Sequence, residues 1–246
     1  GTVNIDRLIL DIHEDKEGNF WLGTEHHGLI KLDKNNPEKF ESFLLPKDQT
    51  NFPMAGSVVS IYEDPGGLFW LGTADGVFIF DPVSKHFQRF DHDPKNTRKI
   101  KNFINSIDED SQGRIWICSG GGLTEYNLKT GASKHYYNDP NDPNSLTYDA
   151  VTQCIEDKEG NIWMPTWEKH GLNLLRKGDS TFRHYLPNYH INTIYQDASG
   201  IIWAGTENGL LQYDKKTDRF ILLVDAKSEI EKTMIQGINE DKYRNL

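Results

Sequence analysis

Five aspartates and five tryptophans recur at a fixed spacing, and an array of this kind could take part in chemistry. The aspartates are Asp15, Asp64, Asp110, Asp157 and Asp197, and each is followed by Gly after three residues and by Trp after six. Regularly spaced carboxylates are the groups that acid/base and metal sites use. One site rarely needs its residues copied into every unit, however, whereas Asp suits the start of a turn and Trp suits a buried strand. We therefore assign these residues to the framework.

The candidate ligand-binding residues are those that break the repeat. Trp167 is the one tryptophan of six outside the pattern, and it lies beside Glu168 and His170 in an enlarged loop. An aromatic ring flanked by polar groups can stack on a sugar while those groups bind its hydroxyls. Packing between loops is the alternative role for this tryptophan. The equivalent loops of the first two units add the candidates His26, His27 and Asp75.

A second set of candidates stands where the chain enters the first strand of each unit, near the mouth of the expected channel. The set comprises Arg7, Asn102, Tyr148, Asp149, Tyr189 and His190. These side chains converge if the units form a ring, and a solvated rim is the alternative.

Two further clusters of polar residues are weaker candidates. A basic run could bind the carboxylate or sulfate of an acidic sugar, or could form a solvated loop, and it consists of Lys95, Arg98, Lys99 and Lys101. His26 and His27 are adjacent, so their side chains diverge, and no third ligand follows at a metal-binding spacing. We predict no metal and no cofactor.

The elements that position these residues repeat every 40 to 49 residues, a period typical of propeller blades. Each unit predicts four strands. The first is rich in β-branched residues, the second carries the Trp and is apolar on both faces, the third follows a Gly, and the fourth carries spaced aromatics. The turn between the first two strands begins at Asp, and its Gly accepts a positive φ at low cost.

The pattern predicts an all-β fold, a β-propeller with four-stranded antiparallel blades. Five blades are complete, and the chain ends in the first strand of a sixth. We expect a single domain over 1–246, with blades at about 5–45, 55–92, 101–138, 148–187 and 190–224 and a partial blade at 232–246. Closing seven blades at this period takes about 315 residues, so we expect these blades to belong to a larger ring.

Composition limits the partners. The formal net charge of −10 argues against a nucleic-acid binder, and the longest apolar run, of five residues, is too short to cross a bilayer. A membrane is expected only through a parent chain. The two cysteines, Cys118 and Cys154, fit a reducing or an oxidising compartment, and the sequence leaves their pairing open.

The repeated string of Ile-x-Glu-Asp, Gly-Asn-Ile-Trp-Leu-Gly-Thr, Gly-Leu and Tyr-Asp resembles the two-component regulator propeller repeat, found in periplasmic sensor regions of Bacteroidetes hybrid histidine kinases. All five units match, and Asn138 to Leu146 is similar to the connection between blades in that family. Cys118-Ser119 and Pro165-Thr166 depart from it by replacing Gly-Thr, and Leu175-Arg176 replaces Tyr-Asp.

The resemblance implies a non-enzymatic periplasmic sensor segment that responds to glycan breakdown products. Its expected partners are an oligosaccharide or polysaccharide fragment, a neighbouring propeller, and the downstream kinase region of the parent chain. Two alternatives remain open. One is a propeller lyase that uses His190 or His170 for proton transfer. The other is a scaffold that dimerises through exposed blade edges.

Overall fold

The computed structural model describes residues 8–46, 56–90, 103–223 and 233–246. These residues form five four-stranded antiparallel sheets and no helix. Each sheet is made of four strands that follow one another in the chain, as the repeat predicts, and the prediction of propeller blades is confirmed. No helix among the described residues is long and apolar enough to cross a bilayer.

The strands of the first three blades are β1 (Ile9–Glu14), β2 (Phe20–Thr24), β3 (Leu29–Asp33), β4 (Asn36–Phe43), β5 (Val58–Glu63), β6 (Phe69–Thr73), β7 (Gly76–Asp81), β8 (His86–Arg89), β9 (Ile104–Glu109), β10 (Arg114–Ser119), β11 (Gly122–Asn127) and β12 (Ser133–Tyr136). Those of blades four and five are β13 (Ile155–Glu156), β14 (Ile162–Pro165), β15 (Leu172–Leu175), β16 (Phe182–Tyr185), β17 (Ile191–Gln196), β18 (Ile202–Thr206), β19 (Gly209–Asp214) and β20 (Arg219–Leu222).

The repeated Asp and Trp hold each blade together from inside. In every blade the Trp indole Nε1 donates to the Asp carboxylate, at 2.8 to 3.1 Å. The same carboxylate accepts turn amides, as Asp15 does from Glu17 and Asn19. Four of the five tryptophans are no more than 2% exposed, and Trp203 is 8% exposed. This geometry supports a framework role for the repeat.

These bonds set the charge state of the turn carboxylates. Burial alone would raise the pKa of Asp15, but hydrogen bonds from the Trp21 indole, the Asn19 side chain and two backbone amides outweigh it, so the pKa lies below its ordinary value. The pKa of Asp197 is lowered in the same way by Ser199, Trp203 and the amide of Ile201, which outweigh burial. Both turns are therefore held by ionised acceptors at neutral pH.

Neighbouring blades pack through the face that carries the Trp. Between blades one and two, for example, Trp21 packs in one core with Val58, Ile61 and Phe69. Side chains on the first strands, or just before them, also accept hydrogen bonds from amides of the next blade. The pairs are Ile61 N to Asp11 Oδ2, Ile107 N to Ser60 Oγ and Ile194 N to Gln153 Oε1, at 2.7 to 3.2 Å. The blades are thus linked by both apolar and polar contacts.

Glycines of the second strands allow this close approach. A Cβ on Gly72 would lie 2.8 Å from Cγ2 of Ile104 in the next blade, and one on Gly205 would lie 2.7 Å from Cγ2 of Ile235. Blade three has Cys118 at this position, and Cys118 forms a disulfide with Cys154 of blade four, with a Cα–Cα distance of 6.8 Å. The structure thus pairs the two cysteines across a blade interface.

Pro165 occupies the glycine position in blade four and shortens that blade's first strand. Proline has no N–H to donate to a neighbouring strand. The Pro165 carbonyl still accepts from the Thr152 amide at 3.1 Å, but the regular ladder is reduced to β13 and one isolated bridge between Val151 and Thr166.

The sixth copy of the repeat differs from the prediction, because 233–246 contain no strand. Ile235 nevertheless docks on blade five as the first strands do elsewhere, with its N–H donated to Thr206 O at 2.9 Å. The turn of this copy also forms, since Asp241 accepts from Asn245. A β-ladder needs a second strand to pair with, and none is described beside this segment.

Candidate functional site

The enlarged loop of blade four, between β14 and β15, gathers several of the predicted residues. The pair Thr166 N and Gly171 O closes the loop at 3.0 Å, and Glu168 takes a φ of 56° within it. The Trp167 amide donates to Ala150 O at 2.8 Å, which ties the loop to the connection that precedes the blade. The Trp167 side chain is 50% exposed.

Aromatic contacts extend from this loop to both neighbouring connections. The rings of His170 and Tyr148 stack in parallel with centroids 4.2 Å apart, and the rings of Trp167 and His190 are 6.2 Å apart. We call Tyr148, Trp167, Glu168, His170 and His190 the blade-four cluster. It presents exposed aromatic faces beside groups that donate and accept hydrogen bonds.

Polar contacts fix the loop between its neighbours. Lys169 Nζ lies 2.8 Å from Glu207 Oε1 of blade five, and the Asn188 amide donates to Lys169 O at 3.1 Å. The hydrogen bond from Lys169 and its charge lower the pKa of Glu207, which therefore stays ionised. These contacts hold the loop in a fixed position between its neighbours.

The connection 137–150 forms a rigid wall beside the cluster. The Asn138 amide donates to Asp149 Oδ1, and the Asn138 side chain donates to Leu146 O, both at 2.6 Å. Leu146 is buried in the core between blades three and four. Asp149, predicted as a ligand-binding residue, therefore has a local partner that braces the connection.

A cleft of about 460 Å³ lies between this wall and the blade-four loop. Among its lining residues are Asn138, Asp142, Lys169, His170, His184 and Asn188. His184 Nε2 is 2.8 Å from Ser145 O, which holds the far side of the cleft. The volume falls in the range of small-molecule sites.

The candidates of blades one and two lie apart from this cluster. His26 is 3.6 Å from Glu25, the His27 amide donates to Thr24 Oγ1, and Asp75 pairs with Arg89 at 3.2 Å. Among the described residues, no hydrogen bond, ion pair or ring contact joins these three to the blade-four cluster.

The remaining candidates have other positions or are not described. Tyr189 packs against the core between blades four and five, and its amide donates to Leu186 O at 3.1 Å. Arg7, Asn102 and the basic run of Lys95, Arg98, Lys99 and Lys101 lie outside the described residues.

Sequence reasoning missed an axial cavity of about 410 Å³ lined by the inner strands. Asp11 and Asp108 line it together with amide side chains that include Asn105, Gln153 and Asn192. The surrounding inner strands partly exclude water from Asp108 and, with a smaller contribution from the charge of Asp11, raise its pKa to about 6, although the residue remains exposed at the surface of the cavity. Burial also raises the pKa of Asp11, although the amides of Ile61 and Ile12 oppose the change. The position of Asp108 holds His13, Tyr62, Ile155 and Tyr195 in the other units, and this irregularity was the signal available in the sequence.

Within the described residues, no group of three or more His, Cys, Asp or Glu side chains is arranged to hold a metal ion.

Comparison with known proteins identifies the repeat. Residues 5–26, 99–121 and 185–208 match the family model described as two component regulator propeller. These three segments are therefore similar to two-component regulator propeller repeats. The resemblance predicted from the sequence is thereby confirmed.

Two further proteins are similar to the chain. Histidine kinase P4 of Formosa agariphila is 29% identical over 158 residues, which cover 60% of the chain and 11% of the kinase. The extracellular domain of a proposed hybrid two component system from B. thetaiotaomicron superposes with a TM-score of 0.71 at 24% identity, over 87% of the chain and 29% of that domain. The chain thus spans only a small part of each.

The fold is also shared with an enzyme. Virginiamycin B lyase from Staphylococcus aureus superposes with a TM-score of 0.65 at 13% identity, over 89% of the chain and 71% of the lyase. Identity at this level shows a common fold and carries no activity with it.

Proposed function

We propose that the chain is a non-enzymatic segment of the periplasmic sensor region of a hybrid two-component kinase, and that its blade-four cluster binds a glycan fragment. The repeat family and the similarity to a histidine kinase and to an extracellular domain support the sensor role. The observation that carries the ligand proposal is the blade-four cluster, where one loop and two connections bring together aromatic and polar side chains.

A glycan suits this cluster for chemical reasons. Sugar rings have apolar faces that stack on aromatic side chains, and Trp167 offers half of its surface for such a contact. The neighbouring Glu168, His170 and Asn188 provide hydrogen-bond acceptors and donors for ring hydroxyls. The adjacent cleft can accommodate a further part of the ligand.

The chain forms an arc of a larger ring in this proposal, because none of the described residues forms a blade that covers one face of blade one. Phe20 is 46% exposed, whereas the equivalent Phe69, Ile115, Ile162 and Ile202 are at most 2% exposed. Ile12 is 62% exposed at a position where Ile61, Ile107 and Ile194 are at most 7% exposed. Further blades of the parent chain would bury this face.

Signalling requires that the ligand bind two conformations of the sensor with different affinity. A ligand held between the blade-four loop and its neighbours would favour the conformation in which these contacts close. The parent chain would pass this preference to its kinase region.

Isothermal titration calorimetry of the full sensor region with a panel of oligosaccharides tests the proposal. We expect binding by at least one of them, and a loss of affinity of about tenfold for Trp167→Ala because a stacking contact is removed. Asp75→Asn in blade two serves as the control and should leave the affinity unchanged. Failure of the full sensor region to bind any member of the panel would contradict the proposal.

A lyase is the second candidate, favoured by the fold shared with virginiamycin B lyase and by two histidines in the cluster. In that case His170 or His190 would transfer a proton, and turnover of a uronate or lactone substrate would stop on replacement of that histidine. Absence of turnover by the chain would eliminate this candidate.

A further inference from the structure

A second cleft, of about 690 Å³, lies on the outer wall between the fourth strands of blades four and five. Its lining combines aromatic side chains, Tyr185, Tyr189 and Phe220, with the basic side chains Arg183, His184 and Arg219. The rings of Tyr185 and Phe220 belong to a packed cluster around Trp163, with their centroids 5.9 Å apart. The floor of the cleft is therefore rigid.

Asp218 fixes the polar part of this cleft across the blade interface. Its Oδ1 accepts hydrogen bonds from the hydroxyls of Tyr185 of blade four and Tyr213 of blade five, at 2.7 and 2.6 Å. These bonds hold the pKa of Asp218 below its ordinary value, so the carboxylate is ionised. Asp218 also has a φ of 55°, in the turn position that Lys85 and Gly131 take in other blades.

The charge of the cleft is opposite to that of the molecule. The net charge of the chain is −10, yet two arginines line this one opening. Arg183 lies 3.6 Å from Asp218 Oδ2, which uses only part of its guanidinium. Among the described residues no carboxylate lies within ion-pairing distance of Arg219. The guanidinium of Arg219 is therefore available to an anion.

The outer cleft adjoins the cleft beside the blade-four cluster. His184 and Pro187 line both, so the two openings meet at the end of β16. A ligand that extends from the cleft beside the blade-four cluster past Pro187 would next reach Arg183 and Arg219. The two clefts together favour an extended ligand over a single sugar.

We propose that the outer cleft binds an acidic sugar unit, and that one oligosaccharide with carboxylate or sulfate groups occupies both clefts. Arg183 and Arg219 bind the anionic group, since guanidinium forms paired hydrogen bonds with carboxylate and sulfate oxygens. Phe220 and Tyr185 contact the sugar ring. This inference rests on the proposed function, and it specifies the class of glycan.

Titration of the chain with two ladders of oligosaccharides, oligogalacturonates and neutral xylo-oligosaccharides, tests the inference. We expect the acidic ladder to bind more tightly and its affinity to rise with length and to fall with added salt. The double variant R183Q/R219Q should weaken binding of the acidic ladder about tenfold and change binding of the neutral ladder less than about twofold. The control K129Q/K242Q removes the same charge elsewhere and should leave both unchanged.

The outcomes separate this inference from the proposed function. If neutral sugars bind as tightly as acidic ones, or if R183Q/R219Q has no effect on the acidic ladder, the outer cleft is not an anion site. If Trp167→Ala still weakens neutral binding in that case, the proposed function stands. If the melting curve shows that the wild-type chain is folded and neither ladder binds to it, both the inference and the proposed function are contradicted for these two glycan classes.

Discussion

Blades two and four share one framework but differ at the end of the second strand and in the loop that follows it. Blade two keeps Gly72 against the next blade and a short loop that Thr73 closes onto Gly76, and its candidate Asp75 is paired with Arg89. Blade four has Pro165 at the glycine position and a longer loop, and it contacts both adjacent connections. The comparison shows that the buried repeat can be kept while one loop is rebuilt into a candidate binding surface.

The largest expected effect is a difference in stability between substitutions of the two tryptophans of blade four. Trp163→Ala removes a side chain that is 2% exposed and bonded to Asp157, and it should lower the free energy of unfolding by about 3–5 kcal/mol. Trp167→Ala removes a side chain that is 50% exposed and should change the free energy of unfolding by less than about 0.5 kcal/mol. Urea denaturation measures both, and similar losses for the two variants would contradict the division into framework and surface.

The disulfide between blades three and four gives the next effect. Replacement of both cysteines by serine, C118S/C154S, should lower the free energy of unfolding by about 2–4 kcal/mol, because a cross-link in the unfolded chain is lost. Thermal melting with and without a reducing agent checks the cause. The reductant should lower the Tm of the wild type and leave that of the variant unchanged; a Tm of the wild type that does not respond would count against the bridge.

Substitution of a second-strand glycine, where neighbouring blades approach closely, should have a smaller effect on stability. Gly72→Ala places a methyl group against Ile104 and should cost about 1–3 kcal/mol of stability. Gly237→Ala is the matched control, because a Cβ there meets nothing within 4 Å. Equal stabilities of the two variants by urea denaturation would show that the blades do not pack this closely.

The smallest effect concerns the axial cavity and depends on pH. The pKa of Asp108 is raised to about 6, so its ionised form destabilises the folded state, and stability present at low pH is lost as pH rises through the folded pKa. Asp108→Asn keeps the side chain neutral and should be more stable than the wild type by less than about 1 kcal/mol at pH 7.5, because Asp108 is exposed and water screens the effect. The difference should vanish near pH 4. A difference in Tm that does not change with pH would exclude this cause.

The sequence predicts the framework well because each blade repeats it. The spacing of Asp15, Gly18 and Trp21 recurs five times, and periodicity of this kind determines both the strands and the turn. Trp167 and His170 were identifiable for the opposite reason, since they break the repeat.

The contacts between blades could not be predicted in this way. The stacking of Tyr148 on His170 joins residues that are 22 positions apart, and the bridge between Cys118 and Cys154 spans 36. Which side chains meet across an interface depends on the relative placement of two blades, and the repeat pattern within one blade does not contain this information. The outer cleft, where Arg183 and Arg219 lie near Asp218, could not be predicted for the same reason.

Hydrogen exchange measured by mass spectrometry, with and without the oligosaccharide that binds most tightly, shows whether the ligand binds at the blade-four cluster. We expect protection in 138–148, 167–171 and 183–190, and no change in the loops 25–28 and 74–76 of blades one and two. Protection confined to those two loops, with none around Trp167, would contradict it.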